Sequence, residues 1–552
     1  MRRFASLDFI RGILIMIMIM MHVPMRWYDR GWVEGSGELR ISGLTLMFFG
    51  LMIFFGAWAG LFLLVSSIVN MISIQRNLEK GISPMRIVMF QVIGGLLLLT
   101  FAMVVESTIG YHGYLGEIAL GNSDRWDMMI WRIFHMETIH TIAASMIVTG
   151  IVMGILTMHG GAKKTKRNII VLAILAILSI VLTLPAWELA RWSYSGYPFG
   201  MRFSDLLGRD IAVQYPIIGE SPFIDVIYRG FLMFIAGAPE PIFPYLALSF
   251  VGCIIGICMC KGRSMARMPR YMMIIGSIAS IIGLIGTAFV IISGKETYST
   301  LMDRTYELPG LYPNLWLWWF LLIGGFELFA TALIVRSVEY RGIGKRFGKA
   351  TFIIRRYGLV AFSVYAFQTV DLFPRLIFTL FPDLNDTYPF PSKVSALMVL
   401  MMIPMTMLLW EVVLRAWQRI GFAGGLEWWM AKITERLFPD KRSNDGKREK
   451  RAWWRVKRLD PSEYLTGPQW IDVIESSEMD HRHEVDSRFS FYLSLGGALI
   501  PPLSVLAIFI SNSAKKTEGK NSYNVIGLWW SIICLCAWVL TCGALTQVHL
   551  DF

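Results

Sequence analysis

The chain has 552 residues, of which 55% are hydrophobic and only 17% are charged, and its formal net charge is +12. A soluble globular protein of this length would carry more charge and shorter apolar runs, so the composition excludes that class. Apolar segments of roughly 17–25 residues recur, which is the length needed to cross about 30 Å of hydrocarbon. The sequence therefore predicts an all-α fold, a polytopic transmembrane helical bundle.

Twelve candidate spans follow one another along the chain. Ten are expected to form a core bundle over residues 1–437, and the last two a C-terminal transmembrane hairpin within residues 489–552. The spans lie near residues 7–24, 44–70, 86–106, 133–157, 168–187, 242–260, 271–293, 313–336, 352–371, 394–416, 489–511 and 525–546.

The first span carries charged groups on an otherwise apolar helix. Arg11 and His22 are separated by eleven residues, which advance an α-helix by about 1,100° and so place both side chains on one face. Asp8 lies three residues before Arg11, within reach of an ion pair. Ionisable groups inside a span indicate a functional site. The alternative is that Asp8 and Arg11 only mark the inner interface and His22 the outer one. The segment resembles a signal peptide, but these charges and the lack of a small-residue cleavage site predict that it is retained.

The connections between spans differ in charge and so predict the orientation. Those after spans 4, 6 and 8 are rich in Lys and Arg, whereas the opposite connections mix or favour acidic residues. The positive-inside rule places the basic connections in the cytoplasm. With an even number of spans, both termini are expected inside a multi-pass protein of the cytoplasmic (cell) membrane. The net positive charge then reflects inner loops beside anionic lipid, and no nucleic-acid partner is expected.

Three segments outside the spans have distinct compositions. Residues 188–241 are aromatic- and proline-rich and should fold against the outer mouth of the bundle, as a binding segment or as an inert lid. Residues 424–438 predict an amphipathic helix in the inner interface. Residues 439–488 are hydrophilic and predict a cytoplasmic basic linker. No metal is predicted, because the six cysteines lie in or beside spans and the isolated pair His481 and His483 has no further ligand nearby.

Two groups of polar residues could carry chemistry. His22 could remove a proton from an acceptor, since neutral histidine is the usual base near neutral pH, and Arg11 could bind phosphates of a cytoplasmic donor. His140 and Glu137 lie three residues apart at the start of span 4, a spacing that would orient the imidazole, and Gln368 ends span 9. His140, Glu137 and Gln368 are therefore candidate substrate-binding residues. The alternative is that they form ordinary hydrogen bonds between helices.

Scattered motifs resemble one family of membrane proteins. They are Leu7-Asp8-x-x-Arg11-Gly12 with His22, Pro241-Ile242-Phe243-Pro244-Tyr245 with Gly252 and Gly256, Ala361-Phe362-Ser363-Val364-Tyr365-Ala366-Phe367-Gln368, and Gly425-Leu426-Glu427-Trp428-Trp429. In this order they resemble heparan-α-glucosaminide N-acetyltransferase-like and YeiB-like membrane proteins, within a broader acyltransferase superfamily. The resemblance covers about residues 4–437 and leaves residues 438–552 outside it.

The resemblance implies transfer of an acyl group, usually acetyl, from a cytoplasmic acyl-CoA to an acceptor that is often a sugar. It also implies catalytic roles for Arg11 and His22, beside Asp8. The animal heparan enzyme has Asn at the position of His22 and uses a histidine of the following loop, whereas residues 23–43 of this chain contain no histidine. The spacing of Arg11 and His22 matches the broader superfamily instead.

Three functions compete at this point. The first is an integral-membrane acyltransferase with acetyl-CoA or another acyl-CoA as donor, membrane lipids around it, and a carbohydrate or lipid-linked acceptor. The second is a transporter or flippase of an amphipathic solute, which broken helices and repeated halves would favour. The third is a non-catalytic scaffold that recruits partners through residues 439–488. The acceptor, the acyl length, O- or N-acylation and the oligomeric state stay open.

Overall fold

The structure is a computed structural model. It describes residues 2–28, 40–42, 54–110, 113–119, 121, 133, 137–195, 223–236, 240–293, 315–438, 456, 459, 461, 464–465, 469–474, 485–497, 501–545 and 549–551.

Within these residues the chain is almost entirely helical. The α-helices are α1 (Ala5–Trp27), α2 (Ala59–Glu79), α3 (Pro84–Thr108), α4 (Tyr114–Ala119), α5 (Thr138–Thr157), α6 (Thr165–Val181), α7 (Thr183–Ser195), α8 (Phe223–Ala236), α9 (Ile242–Cys260), α10 (Met268–Ile292), α11 (Trp316–Val338), α12 (Gly344–Ala350), α13 (Phe352–Leu359), α14 (Ala361–Ala366), α15 (Leu372–Ile377), α16 (Pro382–Thr387), α17 (Ala396–Arg419), α18 (Leu426–Leu437), α19 (Val485–Gly496), α20 (Pro501–Thr517) and α21 (Ser522–Leu545). The short strands are β1 (Arg2–Arg3), β2 (Arg40–Ser42), β3 (Gln469–Trp470) and β4 (His549–Asp551).

Eight helices in the described part of the chain are long and apolar enough to cross a membrane. They contain α1, α2, α3, α5, α9, α10, α11 and α17. This confirms the predicted class, an all-α polytopic helical bundle of an integral membrane protein. The total of twelve spans stays a prediction, because the other four predicted segments take different forms: two helices at 168–187, a broken helix at 352–371, two helices at 489–511, and α21 at 525–546.

α1 is buried in the bundle and packs closely against α13. A Cβ atom on Gly12 would collide with the backbone carbonyl of Ile354, and one on Gly358 would stand 2.6 Å from the carbonyl oxygen of Asp8. Glycine is therefore required on both helices where their backbones meet. α1 also packs against α17 and α12, so the two predicted functional positions on α1 lie within the fold.

The predicted span over residues 352–371 is broken at Val360, between α13 and α14. The Glu427 carboxylate explains the break. It accepts hydrogen bonds from the backbone N–H of Phe362 (2.6 Å) and of Ser363 (3.1 Å), and it also binds the Ser363 hydroxyl. In a continuous helix these two N–H groups would bond to carbonyls four residues earlier. An acidic side chain from α18 thus caps α14 from a distant part of the chain.

Residues 485–545 form three helices where two were predicted. The segment Gly496-Gly497 to Pro501-Pro502 interrupts the apolar run, because glycine and proline both disfavour helix interiors. α19 and α20 are antiparallel: Glu518, just after α20, accepts the N–H groups of Asp486 and Ser487 at the start of α19 (both 2.9 Å). Asp486 pairs in turn with Arg336 of α11 at 2.6 Å, so this group of helices docks on the core bundle.

The strands join distant parts of the chain. β1 pairs in parallel with β3, and β2 pairs antiparallel with β4. β3 belongs to the predicted linker 439–488, so the part of that linker that the structure describes packs on the start of α1. The predicted interfacial helix is present as α18, with Trp428 buried and Trp429 exposed. His481 and His483, and most of the segment 196–239, lie outside the described residues.

Candidate functional site

His22 and Gln368 meet inside the bundle, although 346 residues separate them. His22 is in the C-terminal part of α1, and Gln368 begins the short 3₁₀ turn that follows α14. The His22 Nδ1 atom is in hydrogen-bond contact with Gln368 Oε1, and Gln368 Nε2 lies 3.5 Å from the sulfur of Met18. The structure thus brings together two of the residues that the sequence predicted.

This contact fixes the chemistry of the imidazole. An amide oxygen only accepts hydrogen bonds, so Nδ1 donates to it, and in the neutral ring Nε2 then carries the lone pair. A hydrogen-bond partner on one ring nitrogen that fixes the role of the other is a common feature of histidines that act as bases or ligands. Glu137 adds an electrostatic interaction with the same ring, and Arg26 opposes it. The arrangement presents an oriented imidazole in the interior.

Two side-chain contacts join α1 to the 3₁₀ turn that begins at Gln368, and the contact of His22 with Gln368 is the first. Arg26, one helical turn after His22, forms an ion pair with Asp371, three residues after Gln368, at 2.6 Å. Both side chains are at most 3% exposed. This ion pair was not predicted from the sequence. The available signal was Arg26 itself, a basic residue one turn after a candidate functional histidine.

The Glu137 and His140 pair differs from its prediction. α5 begins at Thr138, and Glu137 precedes it with an extended backbone (φ −76°, ψ 164°), so the helical spacing of three residues does not apply to their side chains. His140 is fully buried in the first turn of α5. Glu137 instead interacts electrostatically with His22 and with Glu240.

Further acidic groups surround this region and were not predicted as site residues. Glu240 is buried just before α9; its backbone carbonyl accepts the Thr141 hydroxyl, and burial raises the pKa of its carboxyl to about 8. Tyr365 of α14 interacts electrostatically with Glu106 of α3 and with Glu137. The bundle therefore gathers carboxyl groups near the part of α1 that carries His22. The sequence did not indicate Glu240 as a site residue, because an acidic residue is ordinary in a connection that was predicted to lie outside.

Arg11 lies on the same stripe as His22, roughly 16 Å away along the helix axis. It is half-buried and interacts electrostatically with Asp8 and Glu427. The predicted ion pair of Asp8 with Arg11 is wrong: among the described residues Asp8 pairs with Arg3, at 2.7 Å. Arg3 precedes the helix, held by β1, and reaches Asp8 from there. Asp8 therefore forms its ion pair with Arg3, and its interaction with Arg11 is a longer-range electrostatic one.

A segment of the predicted linker covers this end of α1. The guanidinium of Arg355 donates to the carbonyl oxygens of Tyr464 (3.3 Å) and Leu465 (3.4 Å) and stacks over the ring of Trp470 at 4.4 Å. Arg3 stacks in the same way over Tyr464. Part of the predicted linker thus holds the side chains of Arg3 and Arg355 at this end of α1.

No group of three potential metal-ligating side chains occurs among the described residues. In comparisons with known proteins, no family model and no curated sequence matches the chain. The resemblance drawn from the motifs stays a prediction. The structure adds two contacts between these motifs. Glu427 of the fourth motif binds Ser363 of the third, and His22 of the first motif binds Gln368 of the third.

Proposed function

We propose that the protein is an integral-membrane acyltransferase that moves an acyl group, most simply acetyl, from a cytoplasmic acyl-CoA to a hydroxyl or amine acceptor such as a sugar. The contact of His22 with Gln368 carries the proposal, because it holds an oriented imidazole inside the bundle. Arg11, on the same face of α1, supplies a cation that is suited to the phosphates of the donor.

The proposed step uses these residues as follows. His22 Nε2 takes the proton of the acceptor hydroxyl or amine as that atom attacks the thioester carbonyl. The new C–O or C–N bond forms, the C–S bond breaks, and the CoA thiolate leaves with the electron pair and is protonated. The carboxylate of Glu137 stabilises the imidazolium that forms, since an opposite charge nearby favours the charged ring.

The proposed orientation places the start of α1 in the cytoplasm, beside the end of α11. Ser6 at this end donates its N–H to Glu339 (2.8 Å), and Asp486 and Glu518 lie at the same end through their contacts with Arg341. The 24-residue helix α21 then extends about 36 Å toward the other side. The C-terminus is proposed outside, which differs from the sequence-based expectation because α19 and α20 fold back instead of crossing.

Two measurements test the proposal, the first on purified full-length protein and the second on membranes that contain it. Calorimetric binding of acetyl-CoA should be lost or weakened at least tenfold in Arg11→Gln, whereas Arg346→Gln, which removes an exposed arginine of α12, should bind as the wild type does. Membranes given radiolabelled acetyl-CoA should transfer label to lipid or glycan fractions, and His22→Gln should abolish this while His159→Gln, an exposed histidine, does not. Normal transfer by His22→Gln would refute the mechanism.

One observation favours transport as a second function. The helix over residues 352–371 is discontinuous beside the His22 site, and broken helices that line a central site are typical of secondary transporters. Uptake of a solute into proteoliposomes without any acyl donor would support this alternative. Acetyl-CoA binding that depends on Arg11 would argue against it.

A further inference from the structure

A short amphipathic segment, residues 372–381, follows the turn that begins at Gln368. α15 continues into a 3₁₀ turn, Phe378–Leu380, and the backbone becomes extended at Phe381 (φ −106°, ψ 108°). Large apolar side chains that are between 38% and 76% exposed recur along this segment at intervals of three and one residues. They are Phe373, Leu376, Ile377, Leu380 and Phe381. This spacing places them on one face of a helix, and we call them the apolar stripe.

The face opposite to the apolar stripe is fixed to the bundle. Phe378 is 6% exposed and Arg375 is fully buried. The guanidinium of Arg375 donates to the carbonyl oxygens of Tyr388 (2.9 Å) and Ser392 (3.0 Å), and it lies over the ring of Trp27 at the C-terminal end of α1. Arg375 is the one charged residue of the segment, and its side chain points inward. The apolar stripe is therefore free of charge.

Residues 372–393 leave and rejoin the bundle at the same end of α1. Before them, Asp371 forms its ion pair with Arg26. After them, the N–H of Val394 donates to the carbonyl oxygen of Trp27 at 2.8 Å. α15 and its 3₁₀ turn have six and three residues, so together they are roughly 15 Å long, about half of the thickness of the hydrocarbon core. The segment therefore lies at one end of the bundle and does not cross the membrane.

The apolar stripe continues a surface of α17 that is suited to lipid. α15 packs against α17, which is among the helices long and apolar enough to cross a membrane. Exposed apolar side chains recur along α17 with helical spacing: Leu397, Leu400, Met401, Leu408 and Val412. Uncharged apolar surface that continues the lipid-facing side of a transmembrane bundle is typical of membrane contact. This continuity favours lipid over a protein partner.

We infer that residues 372–381 form an in-plane helix that inserts the apolar stripe into the leaflet at the C-terminal end of α1, with the acyl chains of membrane lipid as its partner. The inference does not depend on acyl transfer, because neither Arg11 nor His22 takes part. It has a consequence for the depth of the candidate site. His22 lies four residues before Arg26, and so roughly 6 Å further into the bundle than the level at which the segment is anchored.

Photocrosslinking of the full-length protein in cell membranes identifies the occupant of the apolar stripe. Benzoylphenylalanine replaces Leu380, the most exposed residue of the stripe, in one variant. It replaces Leu408 of α17 in a second and Asp386, an exposed residue of α16 outside the stripe, in a third. Mass spectrometry of the irradiated protein should show phospholipid adducts at Leu380 as abundant as those at Leu408, and at least fivefold fewer at Asp386.

Other adducts would overturn the inference. A crosslinked dimer from Leu380 would identify a second copy of the chain as the occupant, and a larger adduct of other mass would identify another protein. A yield of lipid adducts at Leu380 no higher than at Asp386 would also refute lipid contact.

A second measurement uses lipid nanodiscs that hold one chain each and are open to water on both sides, which excludes a second copy and other proteins. A water-soluble maleimide should label Leu380→Cys at least tenfold more slowly than Asp386→Cys, after subtraction of the labelling of the native cysteines in wild type. Protection at this position can then come only from lipid. Equal labelling rates for the two variants would contradict insertion of the apolar stripe.

Discussion

Two buried arginines beside the ends of α1 are held in different ways. At the C-terminal end, Arg26 pairs with the carboxylate of Asp371, next to the contact of His22 with Gln368. Beside the N-terminal end, the guanidinium of Arg355 binds the backbone carbonyls of Tyr464 and Leu465 and stacks on the ring of Trp470. The contacts of Arg355 involve no titratable partner, whereas Arg26 depends on the charge of Asp371. Substitutions that remove a charge should therefore act more strongly at the C-terminal end.

The largest effect is expected for Asp371→Asn. It leaves Arg26 buried without a counter-charge, which costs about 3–5 kcal/mol in the free energy of unfolding. Thermal or denaturant unfolding of the detergent-solubilised protein measures the loss. Asp383→Asn, at an exposed carboxyl of α16, should change stability by less than about 0.5 kcal/mol.

A double substitution sharpens this result. Replacing both partners, as in Arg26→Met with Asp371→Leu, should recover most of the stability, because apolar side chains of similar size need no counter-charge. A double variant as unstable as Asp371→Asn would mean that the pair also fixes the position of Gln368, and His22 should then lose its hydrogen-bond partner as well.

An effect of intermediate size is expected beside the N-terminal end of α1. Arg355→Met removes the donors to Gly348, Tyr464 and Leu465 but leaves no buried charge behind. Leaving such acceptors without partners costs about 1–3 kcal/mol. Arg346→Met, on the exposed face of α12, is the control. A loss as large as that of Asp371→Asn would contradict the distinction between the two ends.

The last effect is the change of stability with pH that is due to Glu240. Its folded pKa of about 8 lies above the ordinary value of 4.5, so between these values the folded state binds more protons than the unfolded state. Stability should therefore fall as pH rises from about 4.5 to 8, by up to about 1.4 kcal/mol per pH unit, and level off above pH 8. Unfolding of Glu240→Gln at several pH values should show a flatter profile. Glu435→Gln, at an exposed site, should keep the wild-type slope.

Hydropathy and helical periodicity predicted much of the fold. Span length located the long helices, and the spacing of Arg11 and His22 placed them on one face of α1. The partners of His22 and Arg26 could not be predicted, because Gln368 and Asp371 lie 346 and 345 residues away and only tertiary packing brings them near. The helical spacing also gave a wrong partner for Asp8. The spacing predicted Arg11, whereas Asp8 pairs with Arg3, which lies outside the helix.

Helix breaks were the second difficulty. Hydropathy measures composition over a window and does not detect where the backbone changes direction. The break at Val360 depends on Glu427, which offers a better acceptor to the N–H groups of Phe362 and Ser363. The break between α19 and α20 had a local signal, in the glycine and proline pairs around residues 496–502, and attention to these could have located it.

The pairing of Arg26 with Asp371 has a consequence for biosynthesis. α1 leaves the ribosome well before its counter-charge, because the acid that neutralises its arginine follows 345 residues later. At roughly 5–20 residues per second, synthesis of that interval takes about 20–70 s. During this time the nascent helix carries an unmatched guanidinium, which is unstable in lipid and stable beside water or an insertion factor. The final packing of α1 must therefore wait until the segment with Asp371 has been made.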